Sequence, residues 1–136
     1  PTRETLDSME RVLFHITNGE RVSHGLNPLL WSEEARLSSY NHSLDMSANE
    51  YFSHTSLSGE GSKERMQETG IVANVYAENI AAGYNNPFQF HYAFMHSEEH
   101  KKNILTDRIT HFGIGICYDP SSTYTYYITQ NFYEKR

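Results

Sequence analysis

Residues 96–100 read His-Ser-Glu-Glu-His, inside the longer run FMHSEEHKKNIL. Residues four apart share a face of a helix, so the imidazoles of His96 and His100 could hold one divalent ion while Glu99 activates its water. That is the H-x-x-E-H arrangement of inverted zinc peptidases. A catalytic zinc takes three protein ligands and keeps a fourth position for water. After His100 the only acids are Asp107, Asp119 and Glu134. Asp107 follows too closely along the chain, Asp119 falls in a predicted hairpin turn, and Glu134 stands almost at the end of the sequence. Two-histidine patterns also arise by chance in a chain with eight histidines. The simpler reading of His96 is a polar residue on an exposed helix face.

A chain of 136 residues suits one domain with a single core. The apolar fraction is modest at 38%, but ten tyrosines and seven phenylalanines can supply the missing buried area. The formal charge is −6 and no basic cluster extends beyond pairs such as Lys101-Lys102. A protein that grips a phosphate backbone normally carries a basic face, so no nucleic-acid partner is expected. No apolar run has the length of a membrane span, and no signal peptide is visible. The abrupt start at Pro1 reads as a mature terminus or as a domain cut from a longer secreted or anchored protein. Cys117 is alone, so there is no internal disulfide. Its apolar surroundings, FGIGICY, predict a buried inert thiol, because a reactive one needs exposure and positive neighbours.

The histidines and acids must be positioned by elements that the pattern of residues outlines. Leu6, Met9, Val12, Leu13 and Ile16 recur at helical steps and predict a helix over Thr5–Asn18, stopped by Asn18-Gly19. Ser32 is the expected N-cap of a second helix, Glu33–Asn49, with Glu33 and Glu34 favouring its dipole. Ser62 is expected to cap a short helix through KERMQETG. The stretch IVANVYAENIAAG is ambiguous between strand and helix. Asn86-Pro87 reads as a helix start, with the helix running towards Ser97. HFGIGICY alternates, as does TYTYYITQNFY, and the turn DPSS between them predicts an antiparallel hairpin. Helices first and strands last, with no βαβ rhythm, argue for an α+β fold.

Seven stretches in order, NPLLWSEEA, YFSHTS, ERMQETG, AENIAAG, HSEEHKKNIL, FGIGICY and YYITQNF, resemble the CAP superfamily. Its members include cysteine-rich secretory proteins, insect venom antigen 5 and plant pathogenesis-related proteins. The chain most resembles the compact bacterial, SCP-like branch. There the later block commonly reads Ser-Pro-Gly-His, Arg/Lys, any residue, Asn-Ile-Leu, ahead of a Gly-x-Gly strand. Here it reads Ser97-Glu98-Glu99-His100-Lys101-Lys102-Asn103-Ile104-Leu105, then Gly113-Ile114-Gly115. The resemblance covers roughly residues 8–133, nearly the whole chain. It implies a single SCP-like domain over residues 1–136, an α-β-α sandwich with a small antiparallel sheet between helical layers. It also implies a cleft holding two histidines and acidic residues. The family's first histidine falls on His54, its Glu before Asn on Glu78, and its second histidine on His100. Its other acid comes from just ahead of that histidine, where Glu98 and Glu99 replace Pro-Gly; Glu98 is the assignment made here. On this reading His100 partners His54, far away in sequence, rather than His96.

Three functions follow as expectations. The first is an extracellular or cell-envelope binding module. Its His54/His100 cleft would hold a divalent metal, zinc above all, or a polar ligand, with no metal obligatory. Relatives have been linked to small-molecule, lipid, glycan and protein ligands, and no single activity transfers across the fold. The second is a hydrolase in which His54, Glu78 and His100 supply general-base or metal chemistry. Ser53, Ser56 and Ser97 lie near the histidines, but none sits in a nucleophile-elbow motif. The third is a scaffold or regulatory domain of a larger cell-envelope protein.

Overall fold

The elements largely follow the start and stop signals of the sequence. In the computed structural model, which describes residues 1–136, they run α1 (Arg3–Ser23), β1 (Leu30–Trp31), α2 (Glu33–Ala48), α3 (Ser62–Glu68), β2 (Ala73–Ala82), α4 (Pro87–Met95), α5 (Glu98–Ile104), β3 (His111–Tyr118) and β4 (Tyr126–Lys135). The strand order is β1-β3-β4-β2. Both β2 and β3 pair antiparallel to β4, while the two-residue β1, which no pattern in the sequence announces, pairs parallel to β3. Period-2 alternation sends Phe112, Ile114 and Ile116 of β3 into one core with Leu13 of α1, Phe90 and Phe94 of α4 and Ile104 of α5. The opposite face packs on α2 and α3. The protein is therefore an α-β-α sandwich.

Three departures from the sequence reading, and one ambiguity it left open, have local causes. Helix α1 does not stop at Asn18-Gly19. Thr17 and Arg21 continue its buried face, and Asn18 spends its side chain on Leu29, accepting from the Leu29 N–H at 2.7 Å and donating to the Leu29 carbonyl at 3.0 Å. Arg21 then donates to the carbonyls of Asn27, Ile104 and Thr106. Ser62 lies inside α3 rather than capping it; Gly61 is the cap. The ambiguous stretch becomes the strand β2, because pairing along β4 outweighs the helical composition of AENIA. The final strand begins at Tyr126 rather than Thr123. Glu50 accepts from the Thr123 N–H, and Thr125 takes a left-handed φ of 69°, which breaks the ladder.

The buried face of α2 is built from Ala35, Ser38, Ser39, His42, Ser43, Met46 and Ser47. Small side chains let the helix backbone settle directly on the sheet. Gly113 and Gly115 answer from β3: a Cβ added at either would overlap the backbone of Arg36 or Tyr40. The serines then bond across the contact. Ser39 donates to the Gly113 carbonyl at 3.1 Å and Ser43 to the Gly115 carbonyl at 2.8 Å. This close approach sets the depth at which His42 is buried. Gly115→Ala should lower unfolding free energy by at least about 2 kcal/mol, since overpacking against backbone has no soft partner to yield. Urea denaturation checks this, and an unchanged midpoint would contradict it.

Candidate functional site

Glu78 stands on β2 opposite Asn131 of β4, with its side chain only 2% exposed. A lone carboxylate at that depth is costly, and three partners surround it. His54 donates from Nδ1 to Oε1 at 2.9 Å, Arg65 from Nη2 to Oε2 at 2.6 Å, and Asn131 from Nδ2 to Oε2 at 2.8 Å. Burial alone would push the carboxyl up. The His54 hydrogen bond, with the charge and hydrogen bond of Arg65, outweighs it and holds Glu78 below the usual carboxylate range.

Arg65 is the buried cation of α3. Beyond Glu78 it donates from Nη1 to the His54 carbonyl at 2.9 Å, Ser56 Oγ at 2.9 Å and the Glu60 carbonyl at 3.0 Å. One guanidinium therefore ties the 54–60 loop to the sheet and fixes His54 relative to Glu78. His42, from the serine face of α2, donates from Nε2 to the Ser53 carbonyl at 2.8 Å, next to His54. Burial pushes the His42 pKa down, which keeps it neutral. Tyr51 closes the far side by donating to Asp45, and burial with that bond pushes its phenol up to about 12.

His100 approaches from the other layer, on α5. Its ring packs edge-on against Phe94 with centroids 5.2 Å apart. Burial, then the charge of His54, lowers its pKa, with Glu99 opposing, so the ring is neutral at neutral pH. Three amides set its position. Asn79 donates to the His100 carbonyl and to Gln130 Oε1, both at 3.1 Å. Asn103 donates to the Glu78 carbonyl at 3.1 Å and to Asn79 Oδ1 at 2.9 Å. Through these backbone and side-chain bonds the two asparagines lock helix α5 to strand β2.

His54 and His100 line one cleft of about 670 Å³. Ser53, His54 and Thr55 form one wall, Phe94, Ser97 and His100 the other, and Ile80–Ala82 of β2 the floor. That volume is ordinary for a ligand pocket, roughly 300–1,000 Å³. Glu78 lies behind His54 rather than on the cleft surface. Glu98 is exposed in the first turn of α5, outside the cleft lining, where its charge suits the helix dipole. Glu99 is the acid whose charge reaches His100.

The zinc-peptidase spacing loses its geometric premise. His96 caps the end of α4, and a new helix begins at Glu98, so His96 and His100 do not share one helix face. His96 instead stacks on Tyr92 and bonds its carbonyl. Three residues of the site carried no sequence signal strong enough to find them: Arg65, Asn131 and His42 are buried polar residues that meet the site only through tertiary contacts. As metal donors, neither His54 Nε2 nor the His100 ring makes a hydrogen bond within the chain. No third His, Cys, Asp or Glu groups with them. That donor set suits a two-histidine site completed by water, not the three protein ligands of catalytic zinc.

Two measurements test the buried cluster. Arg65→Met leaves the Glu78 charge without its cation, and a loss of about 3–5 kcal/mol is expected; Glu78→Gln, which still accepts from His54, should cost less. Stability should also fall on acidification. Below about 6.5 the unfolded chain protonates His42 and His100 while the native state resists. Further down, the unfolded chain protonates Glu78 first, and its contribution disappears as pH falls through the depressed native pKa. Chemical denaturation across pH reads both phases, and a pH-independent midpoint from 7 to 4 would contradict them.

Known proteins agree with this architecture. The model of the cysteine-rich secretory protein family, CAP, matches residues 14–132. The protein YkwD of Bacillus subtilis is 36% identical over 111 residues, covering 82% of this chain and 43% of that protein. The membrane protein YlbC of the same organism is 34% identical over 126 residues, 93% of this chain and 34% of that protein. Among solved structures, an extracellular SCP-domain protein of Bacillus anthracis superposes with a TM-score of 0.86 at 29% identity, covering 99% of this chain and 44% of that one. The chain thus spans less than half the length of each of these relatives. With a family match across its sheet, helices and cleft, the chain belongs to the CAP superfamily, in its bacterial SCP-like branch.

Proposed function

We propose that this chain is a non-enzymatic binding domain whose ligand enters the cleft between His54 and His100. One observation carries the reading. The buried carboxylate of the site is already committed to His54, Arg65 and Asn131, so what the cleft offers is two imidazoles and an apolar floor. Glu78 orients His54 from behind, as carboxylates orient histidine ligands. The extracellular SCP protein of Bacillus anthracis supports an extracellular or cell-envelope setting, and the greater length of the relatives supports a module within a larger protein. Small-molecule, lipid, glycan and protein ligands all remain within the chemistry of such a cleft.

The same pair of histidines would hold zinc weakly and reversibly, with water filling the remaining positions. The ion would supply a Lewis-acid contact for an anionic or carbonyl ligand group. Uptake should fall as pH drops below about 6.5, because protons compete for the ring nitrogens. Calorimetry with zinc alone tests this. The wild type should take up one ion, and the His54→Ala/His100→Ala variant should not. Equal uptake by both would remove the site.

The His54–Glu78 bond also has the form of a general base held by an orienting carboxylate, which favours hydrolysis as the second reading. No serine hydroxyl bonds either cleft histidine. Turnover on a panel of peptides, esters and glycans that vanishes in folded His54→Ala would establish hydrolysis. Absence of turnover with and without zinc would leave binding as the function.

A further inference from the structure

We infer that the ligand of this cleft is an extended peptide that adds to the sheet as a strand along β2; the inference rests on the cleft being the binding site. The register decides which backbone groups are free. Gly83 donates to the Tyr126 carbonyl at 3.0 Å, and the pairing Ala82↔Tyr127, Ala81↔Ile128, Ile80↔Thr129 continues from it. In an antiparallel ladder alternate residues bond the partner strand. The N–H and C=O groups of Ile80 and Ala82 therefore point away from β4, into the cleft whose floor they form.

Several other outward edge groups of this sheet are covered, although those of Tyr76 on β2 and Ile114 on β3 are not. On the far side, Ser32 donates to the Phe112 carbonyl at 2.9 Å, Arg3 to the Ile116 carbonyl at 3.2 Å, and the Ile116 N–H reaches Glu10 at 2.9 Å. On β2 itself Asn103 covers the Glu78 carbonyl. Ile80 and Ala82 have no such cover: no loop, helix or side chain bonds their outward groups. An open edge is a template for another strand, and folded proteins normally seal it.

The walls fit the same occupant. The 52–55 loop rises on the α2 side of the sheet plane, and α4 and α5 rise on the other. A strand laid on β2 alternates its side chains between these two walls, with about 7 Å between successive residues on one side. Phe52 at 48% exposed and Tyr84 at 41% present apolar surface at the mouth. The occupant is thus a backbone donor and acceptor at every second residue, carrying large apolar or aromatic side chains; neither a glycan nor an acyl chain has that repeat.

The test pans a phage-displayed library of random linear dodecapeptides against the wild-type protein and measures the affinity of the enriched sequence. Each backbone amide of that peptide is then N-methylated in turn. Strand addition requires losses of about tenfold at alternate amides and little change between them. On the protein, Ala82→Pro removes one cleft-facing N–H without touching the β4 ladder, as an edge strand permits, and should weaken the peptide about tenfold. Losses without a period of two, or no enriched peptide blocked by Ser97→Trp, would overturn strand addition. Zinc uptake on the same sample separates the two claims. If zinc still binds through His54 and His100 while the peptide result fails, the cleft stands as a binding site and its occupant is not a strand.

Discussion

The Glu78–Arg65 pair is the constraint on which the site depends. A carboxylate that deep in an edge strand forces a cation, a histidine and an amide to converge, each from a different element. The convergence fixes the 54–60 loop, which has no regular structure of its own, at a definite height above β2. Buried ion pairs are weak evidence for stability, because desolvation offsets the attraction. Their better-attested contribution is register, and here the register is that of His54 over the cleft.

The helix layers obey the same logic by different means. Helix α2 approaches the sheet through serines and glycines rather than interlocking aliphatics, and the buried polar groups this creates are bonded across the contact. On the opposite face, aromatic and aliphatic packing carries the core, and the polar trio Asn79, Asn103 and Gln130 pins α5 within it. The two imidazoles thus arrive from opposite layers of the sandwich, and the strand between them supplies the floor. That placement makes the cleft a slot in the plane of the sheet.

Much of this was legible in residues. Ser32 and Asn86-Pro87 mark helix starts that the structure keeps, and the alternation of HFGIGICY and YYITQNF assigns each side chain its face. The resemblance singled out His54, Glu78 and His100, which line or underlie one cleft. Three things escaped. The first strand has only two residues, too few for any period. The helix from Pro87 ends close to Ser97, as its start signal and length suggested, but the separate helix α5 beginning at Glu98 is not among the elements the residue pattern outlined. Arg65, Asn131 and His42 act through tertiary contacts that no local pattern encodes, and Glu98 shows the converse: a motif position without a motif environment.

The most direct check on this picture is the tautomer of His54. If Nδ1 carries the proton donated to Glu78, Nε2 is the free lone pair that meets a ligand. Long-range proton–nitrogen spectra of the imidazoles, recorded above the histidine titration range, read which nitrogen is protonated. An Nδ1–H signature for His54 is the expected result. The ordinary Nε2–H tautomer there would mean that the carboxylate does not hold the ring, and the site as described would not exist.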